Sequence, residues 1–111
     1  MCRSLRVMCV APDRRSLAEL RAATVGSGWE LTEGATDERN ALDVLDVERP
    51  HVLVVVGAFG SLVELVRSRF PGMRIVTDRD LPGATVVATS LSEIRGLVLE
   101  LPRPGGPVER C

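Results

Sequence analysis

Lysine is absent from this chain of 111 residues, and so is tyrosine; there is one histidine, His51, one tryptophan, Trp29, and two phenylalanines. Without lysine, any mechanism that depends on a lysine side chain is excluded. All fourteen basic side chains are arginines, the usage expected of a GC-rich coding sequence. The formal net charge is −1, so no global basic field exists for nucleic acid and no polybasic anchor for a membrane surface. Three cysteines do not make a disulfide framework. Cys9 falls within a predicted strand, where a thiol is usually a small apolar filler, and Cys2 and Cys111 stand at the termini. A reducing cytoplasm is the expected location. The apolar run Val7 to Ala11 is too short for a signal peptide, and Val52 to Val56 is too short to span a membrane.

What the chain does have is Val52-Leu-Val-Val-Val56, preceded by Pro50 and followed by Gly57 and Gly60. A half-buried strand alternates apolar and polar residues; this one is apolar on both faces. That pattern belongs to a central strand of a parallel sheet covered by helices on both sides. In open α/β sheets the chemistry sits beyond the carboxyl ends of such strands. Here that position holds Val56 and Gly57, which carry no charge.

Taken in order, Leu5 to Ala11 is the first predicted strand. Ser16-Leu-Ala-Glu19 has the spacing of a capping box and opens a helix to about Val25. Trp29 to Glu33 alternates as an edge strand, with Trp29 packed at the sheet edge. Asp37 and Glu38 suit the start of a helix that carries Ala41, Leu42, Leu45 and Val47 and ends before Pro50. After the central strand, Ser61-Leu-Val-Glu64 is a second capping box, for a helix to about Arg69. Met73 to Thr77 and Thr85 to Thr89 are the fourth and fifth strands, and Ser90-Leu-Ser-Glu93 opens a last helix through Leu101. Residues 1–101 thus form one domain, and the proline- and glycine-rich residues 102–111 a flexible tail. Only Asp78 to Ala84 joins strands four and five. No helix fits there, but seven extended residues reach roughly 23 Å, enough to return along a five-residue strand of about 16 Å. The fifth strand is therefore parallel through a bare loop or an antiparallel edge, with the parallel course favoured.

On these patterns the chain resembles the receiver domain of bacterial response regulators over roughly residues 5–101. The carriers are Gly28-Trp-Glu-Leu-Thr-Glu-Gly-Ala-Thr36, Arg49-Pro-His-Val-Leu-Val-Val-Val56 and Ile75-Val-Thr-Asp-Arg-Asp80. The resemblance implies a flavodoxin-like three-layer α/β sandwich, a mostly parallel five-stranded sheet of order 2-1-3-4-5, with the fourth helix missing or replaced by a loop. It also implies a site: an acidic pair after strand one to hold Mg²⁺, a phosphoacceptor Asp after strand three, a Thr or Ser after strand four and a Lys after strand five. In that chemistry the cation gathers carboxylates and phosphoryl oxygens while Lys offsets the product charge. This sequence has Ala11 and Pro12, Val56, Thr77 and Thr89 at those places. Only Thr77 matches, and Asp13 lies one residue beyond the acidic pair. The expectation is a pseudo-receiver with no cofactor and no metal, its vestigial pocket formed by Ala11, Pro12, Asp13, Val56, Gly57, Thr77 and Thr89. It would act by contact with a regulatory protein or a second copy of itself, not directly on nucleic acid or a membrane.

Other constellations compete with that expectation. Cys9-Val-Ala-Pro-Asp-Arg-Arg15-Ser16 has the C-x5-R-S spacing of low-molecular-weight tyrosine phosphatases at a strand–loop–helix corner. There a Cys9 thiolate would attack phosphorus while Arg15 and loop amides held the oxygens. The loop lacks that family's Gly and Asn, and Pro12 removes an amide. Gly57-Ala-Phe-Gly60-Ser61 at a helix start lacks the Gly-Lys-Ser/Thr ending of a phosphate loop and reads as a tight turn. Asp13, Asp78 and Asp80 lack a central carboxylate for a divalent cation and read as solvated loop acids. A third possibility is a small-ligand sensor at Asp13, Gly57 and Thr77. His51, at the start of the central strand, is expected to be structural or superficial, and Arg14, Arg15, Arg67 and Arg69 to be solvated.

Overall fold

The computed structural model describes residues 5–24, 29–79, 81, 84–88, 93 and 94. The elements are β1 (Leu5–Val10), α1 (Arg14–Thr24), β2 (Trp29–Leu31), α2 (Glu38–Glu48), β3 (Val52–Val55), α3 (Gly60–Arg69), β4 (Arg74–Thr77) and β5 (Val86–Val87). They form one five-stranded sheet of order β2-β1-β3-β4-β5, in which every pairing is parallel. β1 and β3 pair from Val7–Val52 to Val10–Val55, and β3 and β4 from Val52–Arg74 to Val55–Thr77. Every residue of β3 is buried, as its two-faced apolar pattern requires. Successive side chains leave opposite faces of a strand. Val7, Cys9, Val52, Val54 and Val76 accordingly pack with Leu20 of α1 and Ile94. Met8, Val10, Leu53, Val55 and Ile75 pack with Ala41 and Leu45 of α2 and Leu62, Val63 and Val66 of α3. Each fully buried Val, Leu or Ile side chain contributes about 1.5–3 kcal/mol of transfer free energy.

The helix starts depart from the capping boxes. α1 begins at Arg14, ahead of Ser16. Oδ1 of Asp13 accepts the Ser16 N–H at 2.8 Å, and the Asp13 carbonyl accepts the Leu17 N–H at 2.9 Å. Asp13 is thus the cap, because a carboxylate directly after Pro12 reaches the first free amides before Ser16 can. Asp37 caps α2, its Oδ1 accepting the Asn40 N–H at 2.8 Å. α3 begins at Gly60 after Phe59 with no side-chain cap, so Ser61 lies inside the helix and the second capping box does not form. Val47 of α2, expected on the apolar face, is 78% exposed. Trp29 does pack at the edge, and its Nε1–H donates to the Thr24 carbonyl at 2.8 Å, satisfying one open carbonyl at the end of α1.

β5 is parallel to β4, with Val76 opposite Val86 and Thr77 opposite Val87. None of the described residues between Thr77 and Val86 is helical. Thr85 fixes the return: its N–H donates to the Ile75 carbonyl at 2.8 Å and its Oγ1 accepts the Ile75 N–H at 3.0 Å. Glu93 and Ile94 are helical, in agreement with the expected last helix. Cys2, Asp80, Thr89, the turn at Pro82 and Gly83, the start and end of the last helix, and the tail 102–111 lie outside the described residues.

Candidate functional site

The crevice at the carboxyl edge of β1 and β3 is where the strand order reverses and where ligands of this architecture bind. Backbone bonds assemble it: Val56 N–H donates to Val10 O at 2.9 Å, Asp78 N–H to Val55 O at 3.2 Å, and Ala11 N–H to Ala35 O at 3.2 Å. Ala11, Val56 and Asp78 therefore sit one step beyond the strand ends. Ala11 is buried, and Val56 packs against the α1-side core. Gly57 takes φ +106, a conformation open to glycine at little cost. A Cβ at Gly57 would lie 3.3 Å from Pro12 Cδ and 3.4 Å from Phe59 Cε2. The proline ring and the phenyl edge thus cover the place after β3.

Among the described residues, the polar side chains around the crevice, Asp13, Thr77 and Asp78, have partners within the fold. Oδ1 of Asp78 accepts the Gly57 N–H at 3.1 Å and pairs with Arg79 Nε at 3.1 Å. The buried Thr77 hydroxyl donates to the Arg79 carbonyl at 2.6 Å. Asp13 is exposed and turned to the start of α1, where the bonds from Ser16 hold its carboxyl below the usual range. Pro12 and Gly57 are brought together, while Asp13 is directed away by its capping role. Among the described residues, no three His, Cys, Asp or Glu side chains are grouped to hold a metal.

Cys9 lies in the middle of β1, buried, opposite Val54. Burial raises its thiol to about 11, only partly opposed by a hydrogen bond from Thr24 and by Arg21. Those neighbours belong to the last two turns of α1. Arg15 is exposed in the first turn, nine residues and about 13 Å along the helix axis from Thr24. Cys9 and Arg15 therefore do not share one cradle, and the thiol is protonated at neutral pH.

Two clefts were not signalled by any motif. One, of about 400 Å³, lies between α1 and α2 beside the β2–α2 loop, lined by Arg14, Leu17, Glu33, Gly34, Ala35, Thr36, Asn40, Asp43 and Val44. The other, of about 310 Å³, lies at the opposite, amino edge of the sheet, lined by Arg49, Pro50, His51, Arg69, Phe70, Pro71, Gly72 and Met73. There the Arg49 and Arg69 guanidinium carbons stand 5.5 and 5.8 Å from the centre of the Phe70 ring, within cation–π range. Arg69 also pairs with Asp46 at 3.3 Å. Arg49 ends α2 in the left-handed region, φ 46 and ψ 60, at a cost of roughly 1–2 kcal/mol for a residue with a Cβ. His51 is structural: Nδ1 accepts the Arg6 N–H at 2.9 Å. The only sequence trace of this cleft is the pair of helix stops, Arg49-Pro50 and Arg69-Phe-Pro-Gly72.

No protein-family model and no curated protein matches the sequence. Solved structures do match the fold. The signal receiver domain of the putative response regulator NarL from Mycobacterium tuberculosis superposes with a TM-score of 0.71 at 18% identity, over 87% of this chain and 94% of that one. The chemotaxis response regulator CheY4 of Vibrio cholerae gives 0.68 at 20% identity, over 88% and 98%. A cobalamin-binding protein from Desulfitobacterium hafniense gives 0.65 at 14% identity, over 87% of this chain and 58% of that one. The fold is the flavodoxin-like fold of response-regulator receiver domains. Its occurrence in a cobalamin-binding protein means that function rests on the site.

Proposed function

We propose that this chain is a pseudo-receiver: a receiver scaffold that takes no phosphoryl group and acts by contact with other proteins in bacterial signalling or transcriptional control. The observation that supports this most is the covered end of β3. By the resemblance Val56 would hold the acceptor position; beside it the Pro12 ring and Phe59 lie against Gly57, and Asp78 is engaged by the Gly57 amide and Arg79. Phosphoryl transfer needs a carboxylate nucleophile and a cation clamp aimed at developing charge, and Val56, Thr77 and Asp78, among the described groups at this edge, are apolar or paired. Residues 1–101 would be the working module, with 102–111 appended to it. The proposed setting is the cytoplasm. No helix among the described residues is long and apolar enough to cross a membrane. The partner is a regulatory protein or a second copy of the chain.

The test is intact-protein mass spectrometry after incubation with acetyl phosphate and Mg²⁺, beside a phosphorylatable receiver as control. The expected result is no phosphoryl adduct on this chain. A stoichiometric, base-labile adduct of the acyl phosphate type would overturn the proposal.

A further inference from the structure

The cleft at the amino edge of the sheet carries an inference that the carboxyl edge does not, and it rests on the interaction-module reading. We infer that this cleft docks an acidic, apolar-bearing peptide segment of a partner protein. Its lining is mainly apolar: Pro50, Phe70 and Met73 are among the residues that form it. Two guanidinium groups, Arg49 and Arg69, flank the Phe70 ring. Arginine and aromatic side chains together are what anchors of protein interfaces are made of. The volume, about 310 Å³, is at the lower end for a ligand pocket and suits one or two inserted side chains.

Charge complementarity selects the occupant. Arg49 donates Nε to the Asp46 carbonyl at 3.3 Å, and among the described residues it makes no ion pair. A guanidinium carries five N–H donors in a fork that fits a carboxylate. Arg69 shares its charge with Asp46, its one ion-pair partner among the described residues. Both α2 and α3 end at this cleft, so their C-terminal carbonyls add partial negative charge. That partial charge opposes any anion, so a carboxylate is drawn here by the Arg49 fork itself and not by the cleft as a whole. The backbone of Arg49 adds a separate observation. The left-handed position that closes a helix is normally glycine's, yet an arginine occupies it at φ 46. Its Nε bond and its place over Phe70 hold the guanidinium at the mouth of the cleft.

The experiment is a titration of the full ¹⁵N-labelled chain with the peptide Asp-Glu-Leu-Phe-Glu-Asp, with its Asn/Gln counterpart, and with inorganic phosphate, followed by amide shifts and by anisotropy of the labelled peptide. The expected result is saturable shifts at Arg49, Phe70, Gly72 and Met73 with the acidic peptide, weakened by salt and absent with the neutral peptide. Arg49→Gly is the informative variant, because glycine is at home at that backbone position and the fold should melt at the same temperature or higher. It should weaken the acidic peptide about tenfold or more. Unchanged binding in Arg49→Gly, shifts located elsewhere, equal response to the neutral peptide, or saturation by phosphate alone would each overturn the inference. Failure here and failure of the interaction-module proposal are distinguishable. A partner captured equally by the parent chain and Arg49→Gly, with no peptide binding, removes this cleft and leaves the module. A phosphoryl adduct from acetyl phosphate removes the pseudo-receiver and leaves the peptide result as it stands.

Discussion

Oδ1 of Asp78 accepts the backbone N–H of Gly57 at 3.1 Å, which ties the residue after β4 to the corner after β3. The same carboxylate pairs with Arg79. Asp78→Ala leaves a partly buried amide without its charged acceptor and should cost about 1.5–3 kcal/mol. Urea denaturation should show a lower midpoint with an unchanged slope. Asp78→Asn, which keeps an acceptor oxygen, should fall between the two. Equal stability of Asp78→Ala and the parent would refute the role assigned to this bond.

Gly57→Ala is expected to destabilise for two reasons that act together. Its φ of +106 is unfavourable for any L side chain, and the new methyl group would crowd Pro12 and Phe59 at 3.3 and 3.4 Å. A loss of about 1–3 kcal/mol is expected, read as a fall in melting temperature. Gly72→Ala is the control, since a Cβ there meets nothing within 4 Å.

Val56→Asp should not create a phosphorylatable receiver. The side chain packs against the α1-side core, so the substitution places a carboxylate beside apolar neighbours and lowers stability. Pro12 and Phe59 still cover the corner, and Ala11 and Pro12 still supply no carboxylate for a cation. Incubation with acetyl phosphate and Mg²⁺ should leave the variant unmodified by mass. An adduct in this single variant would refute the expectation that this corner is closed to phosphoryl transfer.

The pH response of Cys9 follows from its burial. Its thiol is raised from 9.0 to about 11 in the folded protein. The unfolded chain therefore releases that proton first as pH rises. Cys9 contributes stability that is fully present below about pH 9 and is lost as pH climbs through about 11. A shift of this size corresponds to a loss on the order of 3 kcal/mol. Cys9→Ala should flatten this alkaline decline while lowering stability at neutral pH. Iodoacetamide at neutral pH should label Cys9 only when denaturant is added, detected by peptide mass mapping.

The central place of β3 was legible because its determinant is local, whereas the order β2-β1-β3-β4-β5 was legible only through the resemblance to receiver domains. Val52 to Val55 is apolar at every position, and no other environment than a doubly covered strand accommodates that pattern so cheaply. The short Asp78–Ala84 link excluded a helix by length alone, and the parallel return of β5 follows the reach of an extended chain. The helix starts were less legible. Asp13 and Ser16 are both good caps, and sequence spacing does not say which reaches the amides first; Ser61 carried the same signature and caps nothing. Val47 shows the limit of periodicity at a helix end, where one residue of phase separates core from solvent. The amino-edge cleft was not legible at all. Arg49 and Phe70 are 21 positions apart by their numbers, and only the packing of α2 beside α3 stacks one on the other.

The sheet ends at β5 in just two residues, Val86 and Val87. An outermost strand with a long run of free amides and carbonyls is a template on which further chains can add, edge to edge, into fibrils. A border only two residues long gives an incoming strand too few bonds to grip, even though both residues are valines. Among the described residues this margin is the shortest strand of the sheet, the length at which edge-to-edge addition has the least to hold.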